Sequence, residues 1–113
     1  MGQVHWSEPA LEDLREIVSS VARDSPAYAA RLAAQISKAP RVLSSFPTIG
    51  SIVPELGQST VRELWVRPYR IIYLVRESDC HVLAIAHSSR DLSGFTPIEE
   101  PDGDRDAPGG STS

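Results

Sequence analysis

The hydrophobic pattern changes from a helical to a strand period near residue 60. Between residues 10 and 43 apolar residues recur every three or four positions, which indicates amphipathic helices. After residue 60 come three segments rich in β-branched and aromatic residues, typical of strands joined by short hairpins: Val61–Val66, Tyr69–Arg76 and His81–Ala86. This order predicts an α+β fold in which a helical hairpin packs on one face of a small, mainly antiparallel sheet.

The start of the chain predicts a short strand followed by a helix. Residues 3–6 alternate polar and apolar side chains, so Val4 and Trp6 share the inward face of the strand. Ser7 is a candidate N-cap, because its hydroxyl can accept a hydrogen bond from an amide of the first helical turn. The helix that follows is predicted to span about 8–23.

A second helix begins after Asp24-Ser25-Pro26, where a capping residue precedes a proline that fits the first helical turn. Pro40 falls inside the apolar stripe of this helix, where it removes a backbone donor, so we expect a kink or break there. Residues 46–50 and 53–57 contain Gly or Pro and are predicted to be loops. The predicted element order is β-α-α-β-β-β.

The negative charge is concentrated at the C-terminus. Residues 97–113 hold five of the 15 acidic side chains and only Arg105 of the 11 basic ones, which leaves ten of each in residues 1–96. This tail is rich in Pro, Gly, Ser and Asp and has no aromatic residue, so we predict a domain over 1–96 and a disordered tail over 97–113. The alternative is an acidic segment that folds over a basic partner or over the protein's own arginines.

Several classes of protein are disfavoured. Cys80 is the only cysteine, which argues against a disulfide framework or a thiolate zinc site, and His5, His81 and His87 are far apart in sequence. We therefore expect neither a metal nor a cofactor. No apolar run approaches the ~20 residues of a membrane span, and the first ten residues do not resemble a signal peptide. We expect a cytoplasmic protein without a membrane partner.

Both faces of the predicted strand over 69–76 carry apolar side chains. The face away from the helices would expose Ile72 and Leu74, next to Leu83 and Ile85 of the following strand. Monomers seldom leave such an area uncovered. Two interpretations remain open: a partner protein covers it, or a loop or the C-terminal segment around 92–95 does.

Five motifs, taken in order, resemble a known family. They are Phe46-Pro47-x-x-Gly50, Val53-Pro54-Glu55-Leu56, Arg62-Glu63-Leu64, Tyr69-Arg70-Ile71-Ile72-Tyr73 and His87-Ser88-Ser89-Arg90, preceded by Trp6 with Ala10, Asp13-Leu14 and Ile17. Their order and spacing from residue 4 to about 92 resemble the RelE/ParE superfamily of type II toxin–antitoxin toxins, in the ParE or plasmid-stabilisation branch.

The resemblance implies a small toxin that is neutralised by a cognate antitoxin, whose C-terminal segment wraps over it. Fold alone does not choose between the two actions found in this superfamily. ParE-like members bind and poison DNA gyrase without chemistry of their own, and the H-x-x-R ending and the neutral body resemble them better. RelE- or YoeB-like members cut messenger RNA on the ribosome, and a decayed toxin that only binds its antitoxin is a third possibility.

The candidate site residues depend on which action applies. For RNA cleavage, the resemblance implies that Glu55 or His87 transfers protons while Arg70 holds the phosphate. For the favoured gyrase-binding action no residue is catalytic. Alternation places Arg70 on the face away from the helices, so we expect Arg70→Ala to leave the fold intact. The candidate residues for binding the antitoxin or the target are Arg62, Trp65, Arg70, Ile72, Leu74, His87 and Arg90.

Overall fold

In a computed structural model, which describes residues 2–97, two helices pack on a five-stranded sheet. The elements are β1 (Val4–Trp6), α1 (Glu8–Ala22), α2 (Pro26–Lys38), a 3₁₀ helix (Ala39–Ser44), β2 (Ser51–Ile52), β3 (Val61–Val66), β4 (Tyr69–Arg76) and β5 (Asp79–His87). The α+β prediction is confirmed. The predicted disordered tail lies outside the described residues except for Pro97.

Both helices begin at the predicted caps. Ser7 Oγ accepts a hydrogen bond from the amide of Ala10 at 3.2 Å, and Ser25 Oγ accepts one from the amide of Tyr28, also at 3.2 Å. The predicted break at Pro40 takes the form of the 3₁₀ helix, which begins one residue before the proline. No helix within residues 2–97 combines the length and apolar character needed to cross a membrane.

The sheet has the strand order β1-β5-β4-β3-β2, with β1 parallel to β5 and the other neighbours antiparallel. β2 lies between the two predicted loops, 46–50 and 53–57, and was not predicted as a strand. It is a two-residue edge strand in which Ser51 lies opposite Glu63 and Ile52 opposite Arg62. Two residues are too few to produce a recognisable alternation of polar and apolar side chains, so the sequence pattern missed it.

One face of the sheet packs against the helices. Its buried cluster consists of apolar side chains from α1, α2, β4 and β5: Ala10, Leu32, Ile36, Ile71, Val82 and Ile85. Val4 and Trp6 of β1 pack against this cluster, together with Leu14 and Ile17 of α1. The helical stripes and the inward face of the first strand are therefore placed as the sequence predicts.

The opposite face of the sheet is covered by the protein itself. Its buried residues are Val53, Val61, Ile72, Ala84, Ala86 and Leu92, with Leu56, Leu74 and Phe95 packed against them. Of the two interpretations left open, cover by a loop and the C-terminal segment is the one observed. This cover comes from the turn after β2 and the segment after β5.

One detail of this face was predicted wrongly. Ile72 lies opposite Ala84, not beside Leu83 and Ile85, because the register of β4 and β5 shifts between Ile72 and Tyr73. Tyr73 lies opposite Val82, so β5 carries one extra residue at Leu83. The resulting bulge moves Ile85 onto the helix-covered face.

Candidate functional site

Arg70 is the centre of a buried ion-pair network on the sheet face away from the helices. Its side chain is only 4% exposed. Nη1 and Nη2 donate to the two carboxylate oxygens of Glu55, at 3.0 and 2.7 Å, which is the bidentate fork that arginine makes best. Nη1 also donates to Glu63 Oε1 at 3.0 Å. One guanidinium is therefore shared by two carboxylates.

Different parts of the chain supply the two carboxylates. Glu63 reaches Arg70 across the β3–β4 pair, in which Glu63 lies opposite Ile72. Glu55 lies in a tight turn where the amides of Leu56 and Gly57 both donate to the carbonyl of Val53. Gly57 has φ +63°, a conformation that glycine adopts at little cost.

The C-terminal segment closes over this network. Arg70 Nη2 donates to the backbone carbonyl of Arg90 at 2.9 Å, and the amide of Leu92 donates to Glu55 Oε2 at 3.2 Å. The side chain of Leu92 is buried in the apolar cluster next to it. The network therefore joins the turn after β2, the sheet and the segment after β5.

The network carries one negative charge in excess. The hydrogen bonds from Arg70 lower the pKa of Glu55 to about 2, although partial burial opposes this shift. The bond to Glu55 in turn raises the pKa of Arg70. Trp65 Nε1 donates to Glu63 Oε2 at 3.2 Å, while Arg70 Nε is buried and makes no hydrogen bond with the described residues. Glu55 and Arg70 are therefore both ionised at neutral pH.

His87 lies apart from this network. β5 alternates between faces, so His87 lies on the same face as Ile85, and its ring contacts the edge of Tyr69 with the ring centroids 5.6 Å apart. Its Nδ1 accepts a hydrogen bond from the amide of Ser89 at 3.1 Å. The structure therefore brings Glu55 and Arg70 together but leaves His87 on the other face of the sheet.

The remaining candidate residues have mixed environments. Arg62 lies on the same face of β3 as Leu64, which packs against the helix-covered cluster, and donates to three loop carbonyls, those of Thr48, Gly50 and Ser59. Arg62 therefore does not join Arg70. Trp65 is 40% exposed, and the guanidinium of Arg67 stacks on its ring at 4.6 Å.

Ile72 is fully buried and Leu74 is half-buried, so neither offers an open surface. Arg90 is an exposed residue, and only its backbone carbonyl joins the network. The binding roles of these candidates stay predictions.

The sequence analysis did not identify Glu63, which pairs with Arg70, or Arg67, which stacks on Trp65, as candidate site residues. Alternation along β3 places Glu63 and Trp65 on one face, but which residues of β4 they meet depends on the strand register.

Residues 2–97 contain no group of three or more His, Cys, Asp or Glu side chains that could hold a metal ion. The cluster therefore offers charge pairing and an exposed indole rather than metal coordination.

The chain matches known proteins over most of its length. Residues 4–92 match the family model described as "ParE toxin of type II toxin-antitoxin system, parDE". The chain is 36% identical over 91 residues to Toxin RelE2 of Caulobacter vibrioides, covering 80% of this chain and 99% of that toxin.

The fold also has a solved counterpart. A structure titled "Chromosomal ParDE TA system from P. aeruginosa" is similar with a TM-score of 0.64 and 23% identity, covering 77% of this chain and 96% of that chain. This structural likeness shows the shared fold, and the two sequence matches identify the family. The chain belongs to the ParE toxins of type II toxin–antitoxin systems, within the RelE/ParE superfamily.

Proposed function

We propose that this toxin arrests growth by binding DNA gyrase as a protein poison, without chemistry of its own, and that a cognate antitoxin neutralises it. The module would be of the plasmid-stabilisation kind. The observation that carries the proposal is the separation of Glu55 and Arg70 from His87, together with the occupation of Arg70 by two carboxylates.

RNA cleavage by attack of the 2′-hydroxyl needs a base, an acid and cations that stabilise the charge on the phosphate. Arg70 already shares its charge between Glu55 and Glu63, so it is not free to bind a phosphate. A carboxylate whose pKa is about 2 is a weak general base at neutral pH. These residues are better explained as a structural network than as a nuclease site.

The charge balance supports the same proposal. Residues 1–96 have ten basic and ten acidic side chains, and Lys38 is the only lysine. Affinity for ribosomal RNA depends strongly on neutralising phosphates with an excess of Lys and Arg. A protein target such as gyrase does not require that excess.

One observation favours RNA cleavage as the second candidate. Glu55 and Arg70 do meet, and the Glu55 side chain retains 21% exposure at the surface of the network. For this function, binding of the ribosome or RNA would have to release Arg70 from Glu63 and bring in an acid from elsewhere.

The test compares both targets with the same preparation of toxin freed from its antitoxin. We expect inhibition of supercoiling by purified gyrase, with cleaved DNA trapped in the complex, and no cleavage of messenger RNA on ribosomes.

Ribosome-dependent cleavage with unaffected supercoiling would replace the proposal with the nuclease function. In that case Glu55→Gln should abolish cleavage, and loss of cleavage in His87→Gln would identify His87 as the acid that moves in. A folded preparation with neither activity, from cells whose growth continues on induction without antitoxin, would indicate a decayed toxin.

A further inference from the structure

The charged residues of this chain are segregated along the sequence. Residues 1–24 hold five acidic and two basic side chains, and residues 55–96 hold five of each. Residues 25–54, which include α2, the 3₁₀ helix and β2, contain no acidic side chain and three basic ones: Arg31, Lys38 and Arg41. The overall charge balance of the domain therefore conceals one segment that is purely basic.

The three basic residues lie along one side of α2 and its continuation. Arg31 and Lys38 are seven residues apart, close to two helical turns, so they share a helix face at a separation of about 10 Å. Arg41 follows Lys38 by three residues, which is one turn of the 3₁₀ helix and about 6 Å further on. We call the surface formed by these three residues the basic stripe.

The basic stripe is open to a partner. Its three residues are exposed, and none of them forms an ion pair with another residue in the described range 2–97. The guanidinium of Arg31 lies 5.8 Å from the ring centroid of Tyr28, which is itself 38% exposed. The positive charges of the stripe are therefore balanced by no acidic side chain in direct contact within that range.

The C-terminal tail carries the complementary charge. Residues 98–113 hold five acidic side chains and one basic one. Three of the acids occupy alternate positions: Asp102, Asp104 and Asp106. In an extended chain alternate side chains point to the same side, and these three would span about 13 Å, which is close to the length of the basic stripe, about 16 Å.

The tail is long enough to reach the basic stripe. Phe95 packs on the sheet face away from the helices, so the tail leaves the domain near that face. The sixteen residues from 98 to 113 can span up to about 50 Å when extended, whereas the smallest dimension of the structure is 24 Å. A tethered segment also meets its site at an effective concentration on the order of millimolar, so weak contacts are sufficient.

The tail lies outside the similarity to known toxins. The family match ends at residue 92, and the stretch similar to the Caulobacter toxin covers 99% of that toxin but 80% of this chain. An interaction of the tail must therefore be explained from this chain's own residues.

We propose that the acidic tail, residues 98–113, binds the basic stripe of its own chain and shields Arg31, Lys38 and Arg41 from other polyanions. Exposed ion pairs are individually weak and are screened by salt, so this binding is reversible and salt-sensitive. The excess of acidic side chains in residues 1–24 repels the tail, which makes α2 the side of the helical hairpin that attracts it. The inference does not depend on whether gyrase or RNA is the target of the toxin.

The first test places a nitroxide label on the tail of the full-length toxin and records the amide NMR signals. The label is attached to the Ala107→Cys variant, because Cys80 is fully buried and does not compete for it. We expect the signal loss to be largest over residues 31–41, where at least half of the intensity should disappear. Raising the salt from about 0.05 to about 0.5 M should restore these signals.

Two charge variants of the labelled protein locate the interaction. The combination of Arg31→Gln, Lys38→Gln and Arg41→Gln removes the charges of the stripe and should abolish the signal loss over residues 31–41. The matched control removes the same charge from three exposed arginines outside the stripe and should retain the loss: Arg15→Gln, Arg23→Gln and Arg67→Gln.

The second test measures shielding, with a short DNA duplex as the polyanion. Neutralising the tail through Asp102→Asn, Asp104→Asn and Asp106→Asn should raise affinity for the duplex at least fivefold at low salt. The control has the same net charge but neutralises exposed acids of α1, and it should change affinity less than twofold: Glu8→Gln, Glu12→Gln and Glu16→Gln.

Three results would overturn the proposal. The first is a signal loss that is absent, is largest outside residues 31–41, or survives removal of the stripe. The second is equal affinity of the tail and α1 variants for the duplex, which would show that the tail shields nothing. The third is signal loss in an unlabelled chain mixed with the labelled one, which would show that the tail binds a second copy instead of its own chain.

Discussion

The face of the sheet covered by the helices is held by a continuous apolar cluster, whereas the opposite face is half apolar and half ionic. The helix-covered face takes its side chains from long elements with regular spacing. The opposite face depends on a turn, a C-terminal segment and the network around Arg70. The two faces of one sheet are therefore stabilised by different interactions, apolar packing on one and a mixture of apolar packing and ion pairs on the other.

The difference shows where each face is vulnerable. Loss of one apolar side chain from the helix-covered face leaves a cavity among many remaining contacts. Loss of Arg70 leaves Glu63, whose side chain is 4% exposed, with an uncompensated charge. The ionic half of the second face should thus be the more sensitive to a single substitution.

The largest expected effect is that of Arg70→Ala. We expect it to lower the free energy of unfolding by about 3–5 kcal/mol, because breaking a buried ion pair leaves a buried charge unpaired. The measurement is urea denaturation at neutral pH. This reverses the sequence-based expectation that the substitution leaves the fold intact, since the residue faces away from the helices but is not at the surface.

A triple variant sharpens this prediction. Arg70→Met combined with Glu55→Leu and Glu63→Leu removes all three charges and should recover most of the lost stability, because apolar replacements of buried ion clusters are often neutral. If Arg70→Ala is as stable as the unchanged protein, the ionic half of this face contributes little, and the contrast between the faces fails.

On the helix-covered face, Ile71→Ala should lower the free energy of unfolding by about 3 kcal/mol through loss of buried apolar atoms and formation of a cavity. The same denaturation experiment measures it. An unchanged unfolding midpoint would mean that β4 does not present Ile71 to the helices. The result also provides the apolar reference against which the Arg70 effect is judged.

Leu92→Ala should have a smaller effect, about 2 kcal/mol, at the lower end of the range for buried leucines. The segment that carries Leu92 lies after the last strand and can relax into the space left behind. Faster amide exchange confined to residues 90–95, with the helices unaffected, would identify this segment as a separate cover. Equal acceleration throughout the protein would indicate that both faces unfold together.

The smallest of these effects is that of Glu55→Gln, about 1–2 kcal/mol at neutral pH, because one charge-assisted hydrogen bond to Arg70 is lost. The pKa of Glu55 is lowered from 4.5 to about 2 in the folded protein, so its contribution is complete above about 4.5 and is lost as the pH falls towards 2. The unchanged protein should therefore lose stability over that interval more steeply than Glu55→Gln. Parallel acid denaturation curves would contradict the role assigned to Glu55.

Much of the fold could be read from local pattern. Ser7 and Ser25 cap the helices as predicted, Pro40 ends α2, and the three longer strands lie close to their predicted bounds. The edge strand β2 was missed because it has two residues. The bulge at Leu83 was missed because the amino-acid types at this position do not indicate a shift in strand register.

The candidate site was predicted only in part. The motifs singled out Glu55, Arg70 and His87, and the structure pairs the first two while turning His87 to the other face. The participation of Glu63 depends on its position across the β3–β4 pair. The cover over Ile72 could be proposed from the sequence but not chosen, since an apolar strand face looks the same whether a partner or the protein's own segment packs on it.

The sequence by itself determined the helices, the longer strands, the break at Pro40 and the family, because caps, prolines and periodic side chains act within a few residues of one another. The tertiary structure alone decided the strand register, the cover of the second face and the network around Arg70. Glu55 bonds to residues 15 and 37 positions further along the chain. The strength of such bonds depends on burial and geometry that exist only once the distant segments have packed together.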